Sequence, residues 1–391
     1  MVLVPSNKKK RTVKKSIISI PEQSCTVPED DFLKPKKFAR TAALELTASC
    51  NHRCIFCCNV WKGQKAVKRP FERSELTTEE WKAVIDVLVD LGVDTVIITG
   101  GEPTLHKGFV EIVRHCVSKK LTVEVITNGE FVPSSPFLFL TLQFVILFCC
   151  HAFRTTVFDD DLLCKFLASN SVYVSLSIHG DHVRHAFATG LDKIDTLPRT
   201  LETMKHLSAA GVVVCANIVV GGGCDSAAQS MEAARQAVEE GGAQMLLPVR
   251  PIQTGAGVLS EDTPEDIRRF LQCSAEEFDV AFSELSRYAT KKHIGISSGC
   301  SASDSSLVPD IEAITDSPKC TCGLKTIAID PQGWLRPCTT AGTMGGNVFD
   351  PETGCVSSDT VLTAFHSDNL GKFRSKTSQY SPCLKTLLSE K

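Results

Sequence analysis

Short β-rich segments alternate with helical patterns along most of this chain, and this alternation limits the folds that it can adopt. Strands are predicted at residues 42–46, 95–99, 122–127, 172–178, 212–220 and 245–249. Apolar residues spaced by three and four predict helices at residues 77–89, 109–116, 160–169, 198–210, 227–240 and, with a break, 264–288. Strands that alternate with helices pair in parallel. The pattern therefore predicts an α/β fold, a partial (β/α)6 barrel of the TIM type.

Three polar motifs follow the first three predicted strands. Cys50, Cys54 and Cys57 form a C-x3-C-x2-C array after the first strand. Residues 100–103 read Gly-Gly-Glu-Pro after the second strand, and residues 127–129 read Thr-Asn-Gly after the third. Each glycine motif alone is typical of an ordinary turn. Because barrel chemistry lies at the carboxyl ends of the strands, three such motifs on one rim predict a functional site there.

The cysteine array is suited to a soft metal centre. Thiolates bind iron–sulfur clusters and zinc. Three cysteines are one short of the four that complete a cubane cluster, so an iron–sulfur cluster here would keep one iron open. An open metal position is typical of a catalytic site. A zinc knuckle, with His52 or Cys58 as a fourth ligand, is the alternative interpretation.

With Phe56 just before its last cysteine, the array resembles the signature of the radical S-adenosylmethionine (SAM) superfamily. The Gly-Gly-Glu sequence one βα unit later matches that family's motif, and the resemblance covers roughly residues 42–250. It implies that Cys50, Cys54 and Cys57 hold a [4Fe–4S] cluster whose open iron takes the amino and carboxylate groups of SAM. The residues expected to contact the cofactor are Phe56, Gly100, Gly101, Glu102, Pro103, Thr127, Asn128, Ser175, Ser177 and Asn217. The last three are placed at the ribose or adenine by position alone, and plain strand residues are the alternative.

A second cysteine group lies near the end of the chain. A β-hairpin with a Pro/Gly turn is predicted around residues 326–338, and it is flanked by thiols. The segment 318–385 resembles the auxiliary-cluster extension of radical SAM enzymes called SPASM, or its shorter relative called twitch. The resemblance implies four candidate ligands, Cys320, Cys322, Cys338 and Cys383, which suffice for one further [4Fe–4S] cluster. The later cysteines of the complete SPASM motif are missing, and reduced structural thiols are the alternative.

Three segments are expected from these patterns: a disordered basic arm at residues 1–40, the barrel at 41–293, and a SPASM/twitch-like hairpin and helix module at 294–391. The arm carries ten Lys/Arg against four Asp/Glu. Residues 131–158 are an anomalous apolar insertion in the barrel. Its 14-residue apolar run is shorter than a membrane span of ~18 residues. We hypothesise that residues 132–158 are not part of the working protein; a buried extra helix or a lid is the alternative.

The composition indicates which class of protein to expect. Hydrophobic content of 43% and charged content of 22% are typical of a soluble globular chain. Eighteen cysteines without a signal-like N-terminus predict metal or redox chemistry in a reducing, cytoplasmic compartment. The negative body of the chain predicts no nucleic-acid partner, and no membrane partner is expected.

The resemblance implies reductive cleavage of SAM to methionine and a 5′-deoxyadenosyl radical, which removes hydrogen from a substrate. The expected partners are SAM, a peptide, protein or small-molecule substrate, and an electron donor such as a flavodoxin or ferredoxin. A peptide or protein side chain is the first expectation for the substrate. A nucleotide cyclase of the molybdenum-cofactor type is the alternative, and so is a non-catalytic iron–sulfur or zinc scaffold. No catalytic acid or base is named by the sequence.

Overall fold

The structure, a computed structural model, describes residues 35–61, 73–130, 157–191, 195–297 and 322–377. Its strands are β1 (Thr41–Glu45), β2 (Thr95–Thr99), β3 (Thr122–Thr127), β4 (Val172–Ser177), β5 (Val213–Val219), β6 (Met245–Val249), β7 (Gly295–Ile296), β8 (Thr326–Ile329), β9 (Trp334–Arg336) and β10 (Gly346–Asn347). Its helices are α1 (Thr78–Asp90), α2 (Phe109–Ser118), α3 (Asp161–Ala168), α4 (His182–Thr189), α5 (Leu197–Ala209), α6 (Ser226–Glu239), α7 (Glu265–Leu271), α8 (Ala275–Lys292), α9 (Ser358–Phe365) and α10 (Asp368–Thr377).

All ten strands form one sheet in the order β10-β9-β8-β1-β2-β3-β4-β5-β6-β7. Neighbouring strands from β8 to β7 are parallel, and only β9 and β10 run antiparallel to their neighbours. This confirms the α/β class and the partial barrel, because consecutive strands lie side by side with helices between them.

Local sequence explains the first two helices. Thr77 and Glu80 form the capping box of α1, which buries Trp81 and Leu88 on one face. Val89, which continues the same apolar spacing, is only partly buried. Helix α2 buries the four residues that its spacing predicts, Phe109, Ile112, Val113 and Cys116. The predicted break after residue 264 is the gap between α7 and α8, where Ser274 caps α8.

The extension, residues 322–377, is continuous with the barrel sheet. Strand β8 pairs in parallel with β1, in the register Thr41 to Thr326, and forms a hairpin with β9. The predicted hairpin is therefore present, and its first strand extends the barrel at the edge next to β1. A buried ion pair between Glu45 of β1 and Arg336 of β9 joins the two parts.

Two details differ from the sequence analysis. Helix α4 was not anticipated; Asp181 caps it, and Gly190 ends it with a left-handed φ of 67°. Residues 157–159 form a short turn in which Phe158 is buried against Phe109. Residues 157 and 158 therefore belong to the packed fold.

Some predictions fall outside the described residues: those on the rest of the proposed insertion (131–156), on residues 1–34 of the basic arm, and on Cys320 and Cys383. Among the described helices, none has the length and apolarity to cross a membrane.

Candidate functional site

One cavity of about 630 Å³ opens at the carboxyl ends of the strands. The array cysteines Cys50, Cys54 and Cys57 line it together with the ends of β2 to β6. From the extension, Cys322, Cys338, the loop 339–343 and Phe373 line it as well. Eight of the ten predicted cofactor residues are in this wall: Phe56, Gly100, Gly101, Glu102, Thr127, Asn128, Ser177 and Asn217. The structure therefore brings together most of what the sequence analysis singled out.

The cysteine loop is formed by residues 50–58. The segment that joins it to β1 lies in close contact with the Gly-Gly-Glu strip, residues 100–102. Gly101 N–H donates to Thr47 O at 2.6 Å, and Glu102 N–H donates to Ser49 O at 2.7 Å. A Cβ on Gly101 would lie 2.0 Å from Ser49 O. Gly100 has a φ of 143°, which favours glycine. The two glycines are thus required so that the segment before Cys50 can lie against the end of β2.

Glu102 is buried, and its carboxylate links the ends of β2 and β3. Oε1 accepts from Thr104 N at 3.1 Å, Thr104 Oγ1 at 2.6 Å and Thr127 Oγ1 at 2.7 Å, while Oε2 accepts from Asn128 N at 2.9 Å. Burial raises the pKa of Glu102, and these hydrogen bonds oppose the shift. Its side chain therefore holds the rim of the cavity together.

Side chains inside the array are fixed by the loop after β3. Asn128 Nδ2 donates to Asn51 Oδ1 at 2.7 Å, and His52 Nε2 lies 3.5 Å from Glu130 Oε2. Both members of the His52–Glu130 pair are buried. On the other side, Arg53 N–H donates to the carbonyl of Thr189, which ends α4. The cysteine loop is thus anchored on both sides, so the positions of its thiols are defined by the fold.

His179 and Asn217 line the cavity, and each has a buried polar atom without a hydrogen-bond partner among the described residues. Val219 N–H donates to His179 Nδ1 at 3.2 Å, so the neutral ring carries its proton on Nε2. Burial lowers the pKa of His179 well below its usual value, which keeps the ring neutral. Within the described chain, His179 Nε2 and Asn217 Oδ1 are buried and make no hydrogen bond. One donor and one acceptor therefore remain for a ligand, beside the edge of Phe56, whose ring centroid is 4.6 Å from His179.

Two predicted cofactor residues have other surroundings. Ser175 is fully buried and donates to Glu124 Oε1 at 2.7 Å, below the cavity, and it is not in the cavity wall. Pro103 is buried at the start of a short turn after β2 and is likewise not in the wall. Both assignments remain predictions, and the structure gives Ser175 a different partner.

The two described cysteines of the extension, Cys322 and Cys338, line the same cavity as the cysteine array. Gly323 N–H donates to Pro337 O at 3.0 Å, which sets Cys322 beside Cys338. The hydrogen bond from Cys322 lowers the pKa of Cys338 to about 6. Burial raises the pKa of Cys58 to about 12, and nearby Cys57, Glu45 and Cys338 add to that shift. Thiols of the barrel and of the extension thus line one cavity.

The model of the radical SAM superfamily matches residues 44–225. The match begins in β1 and includes the cysteine array, the Gly-Gly-Glu strip and the strands through β5. Residues 44–225 form a radical SAM domain. In this domain the cysteine array follows β1, the first strand of the barrel.

Curated relatives match this radical SAM domain over short stretches. A PqqA peptide cyclase from Bradyrhizobium diazoefficiens is 39% identical over 86 residues, which are 22% of this chain and 21% of that protein. A probable GTP 3′,8-cyclase from Thermococcus kodakarensis is 34% identical over 87 residues, 22% of this chain and 26% of that protein. The chain therefore matches about a fifth to a quarter of the length of these relatives.

Solved structures resemble a larger part of the chain. Streptococcus suis SuiB bound to the precursor peptide SuiA has a TM-score of 0.58 at 16% identity, covering 87% of this chain and 67% of SuiB. The structure of anSMEcpe with bound AdoMet has a TM-score of 0.57 at 13% identity, covering 85% of this chain and 82% of that chain. At these identities the likeness shows that the radical SAM domain and its extension share the fold of those proteins.

Three functional candidates were missed by sequence reasoning: His52 as an anchor, Glu130 and His179. Cys58 was considered only as a zinc ligand. Only His179 carried a usable signal, because it directly follows the β4 segment Ser-Leu-Ser-Ile at a strand end. The His52–Glu130 contact joins residues 78 positions apart, which spacing alone does not reveal.

Proposed function

We propose that this protein is a radical SAM enzyme that binds a [4Fe–4S] cluster through Cys50, Cys54 and Cys57. When bound, the cluster and SAM supply a 5′-deoxyadenosyl radical that removes hydrogen from a substrate, most readily a peptide or protein side chain. The observation that carries this proposal is the single cavity that joins the three array thiols to the unpartnered Nε2–H of His179 and Oδ1 of Asn217.

The donor set fits a cluster better than a single ion. In the described part of the chain, no three His, Cys, Asp or Glu side chains are close enough to hold one metal ion. His52, the alternative fourth zinc ligand, pairs instead with Glu130. A cubane cluster spreads its thiolate ligands more widely than one tetrahedral zinc does. The array therefore favours the cluster, with an electron donor such as a flavodoxin or ferredoxin as its reductant.

The cavity also fits SAM. Its volume of about 630 Å³ lies in the ordinary range for small-molecule sites. Ser177, Asn217 and His179 offer hydroxyl, amide and imidazole groups at the ends of β4 and β5. Because four hydrogen bonds engage the Glu102 carboxylate, we assign the Gly-Gly-Glu strip a role in shaping the site with its backbone. This role of the strip does not require the Glu102 carboxylate to be free for a ligand.

A peptide or protein substrate is favoured over a nucleotide. The described residues of the cavity wall include one Lys or Arg, Arg250, whose guanidinium also donates to Cys273 O at 2.8 Å. A triphosphate is normally bound by several cations or by a glycine-rich phosphate loop. The matched relatives are named for both a peptide cyclase and a GTP cyclase, and the likeness to SuiB with its precursor peptide supports the peptide choice.

The test is formation of 5′-deoxyadenosine. The full chain is reconstituted anaerobically with iron and sulfide, then given SAM and dithionite. We expect product from the wild type and from Cys224→Ala, an exposed cysteine, and none from Cys54→Ala. Absence of product in a preparation that holds its first cluster would favour the scaffold alternative. Stimulation of product formation by GTP would favour the nucleotide cyclase.

A further inference from the structure

The extension supplies too few described ligands for a second cluster. Cys322 and Cys338 lie side by side in the cavity wall, and Cys320 and Cys383 lie outside the described residues. Four thiolates usually hold a [4Fe–4S] cluster. The described structure contains one further thiol in this wall that the cysteine array does not use, that of Cys58.

We infer that Cys58, from the barrel, is a ligand of the auxiliary cluster held by Cys322 and Cys338. This inference rests on the second cluster expected in the proposed function. Cys57 would then serve the first cluster and Cys58 the second. Cysteines of one short run serve two different clusters in two-cluster ferredoxins, so adjacent ligands for separate clusters are chemically reasonable. Ligation uses the thiolate, so the Cys58 proton is released when iron binds.

The backbone of the Cys57–Cys58 pair is held firmly. Ala256 N–H donates to Cys57 O at 2.9 Å, and Thr254 Oγ1 donates to Cys58 O at 3.2 Å. Gly255 between them has a φ of 57°, and a Cβ there would lie 2.6 Å from Cys57 O. The loop after β6 can therefore approach only because residue 255 is glycine. This contact fixes the backbone of both cysteines.

The extension is held against the same pair. Arg336, two residues before Cys338, forms the buried ion pair with Glu45 and donates to Thr339 O at 3.1 Å and Ala341 O at 3.0 Å. These bonds hold the loop that carries Cys338 beside β1. The Arg336 guanidinium also lies 5.0 Å from the centroid of the Trp61 ring, three residues after Cys58. Cys58 is partly exposed and is one of the residues that line this cavity.

The experiment removes the first cluster so that only the second is counted. In the full chain carrying Cys50→Ala, Cys54→Ala and Cys57→Ala, we expect about four iron atoms per protein after anaerobic reconstitution. Adding Cys58→Ala should lower the iron content at least twofold, as adding Cys338→Ala does. Adding Cys224→Ala or Cys355→Ala, both exposed cysteines, should leave it unchanged. Electron paramagnetic resonance of the reduced samples gives an independent readout of the cluster.

The possible results separate the two proposals. Iron and spectrum unchanged by Cys58→Ala, but lost with Cys338→Ala, would overturn the role of Cys58 and leave the second cluster standing. A triple variant that binds no iron, though folded by circular dichroism, would overturn the second cluster and with it the role of Cys58. Cys58→Ser provides a second variant of similar size; a cluster retained with an altered resonance spectrum would support ligation by residue 58.

Discussion

The two sides of the cavity rim use their polar groups differently. At the ends of β1 to β3, Glu102 accepts four hydrogen bonds and Asn128 donates to Asn51. Within the described chain, His52 Nε2 and Glu130 Oε1 make no hydrogen bond there, but the two side chains face each other, with His52 Nε2 3.5 Å from Glu130 Oε2. At the ends of β4 and β5, His179 Nε2 and Asn217 Oδ1 are buried without partners. An unsatisfied buried polar atom costs about 1–3 kcal/mol. The first side therefore holds the cluster loop, and the second is arranged for a ligand.

This difference indicates that the two sides of the rim have different roles. A cluster bound by three thiols needs those thiols at fixed positions, so the strip and loops around them are locked. A diffusible cofactor must find open donors and acceptors, and these persist only where the surrounding fold stabilises them. Variants on the first side should therefore reduce folding and cluster retention. Variants on the second should reduce binding while the fold remains.

The largest effect is expected for Gly101→Ala. Its Cβ would lie 2.0 Å from Ser49 O, which is backbone and cannot rotate away. The segment leading to Cys50 must then move, and we expect iron content after reconstitution to fall more than fivefold. Overpacking of this kind commonly costs about 1–3 kcal/mol or more of stability. Iron analysis and thermal unfolding measure the two effects.

The control for this variant is Gly92→Ala. Gly92 has a φ of 93° with nothing within 4 Å of its Cβ position, so alanine there adds backbone strain without a clash. We expect a modest loss of stability and a normal iron content. Equal iron loss in both variants would mean that general instability, and no specific contact with the cysteine loop, explains the result.

The next effect is the pH dependence of the free energy of unfolding, which we attribute to the buried histidines 185 and 179 near the ends of β4 and β5. Burial lowers the pKa of His185 to about 4, and the ring of His179 stacks on it with centroids 5.6 Å apart. Between pH ~6.5 and ~4 the unfolded chain binds a proton that the folded chain does not, so the free energy of unfolding falls as pH falls through this window. For His185 alone the loss is roughly 3 kcal/mol.

Denaturant unfolding at several pH values measures that slope. His185→Asn should flatten it between pH ~6.5 and ~4, because the proton-linked difference between the two states is removed. His293→Asn is the control, since His293 is exposed and its left-handed φ of 57° suits asparagine. An unchanged slope in His185→Asn would show that burial of this ring does not govern the acid sensitivity.

Glu102→Gln should lower the free energy of unfolding by about 2 kcal/mol. An amide oxygen can replace Oε1 among its three donors, but the amide NH₂ would then face the N–H of Asn128. Denaturant unfolding of the purified proteins tests this. Glu124→Gln is a matched control, because its partners, Ser175 and Tyr173, are hydroxyls that can reverse their roles. Equal losses in both variants would contradict the locked-rim interpretation.

Much of this arrangement could be predicted from local sequence. The strands, the capping box at Thr77 and the apolar face of α2 follow from residue spacing, and parallel pairing then places the three motifs on one rim. The roles of Glu102 and Ser175 could not be predicted, because they depend on partners 25 and 51 residues away. The presence of Cys58 and Cys338 in one cavity wall could not be predicted either, since it depends on β8 pairing with β1.

The smallest expected effect is a difference in SAM binding between variants of two serines on β4. Ser177 lines the cavity, whereas Ser175 bonds to Glu124 below it. Losing one hydrogen bond to a ligand costs about 1 kcal/mol, so Ser177→Ala should weaken SAM binding by about fivefold. Ser175→Ala should leave it unchanged. Equilibrium binding to the reconstituted enzyme, with circular dichroism to check folding, measures both variants. Weaker binding in Ser175→Ala alone would mean that the ligand reaches deeper into the barrel than the cavity wall indicates.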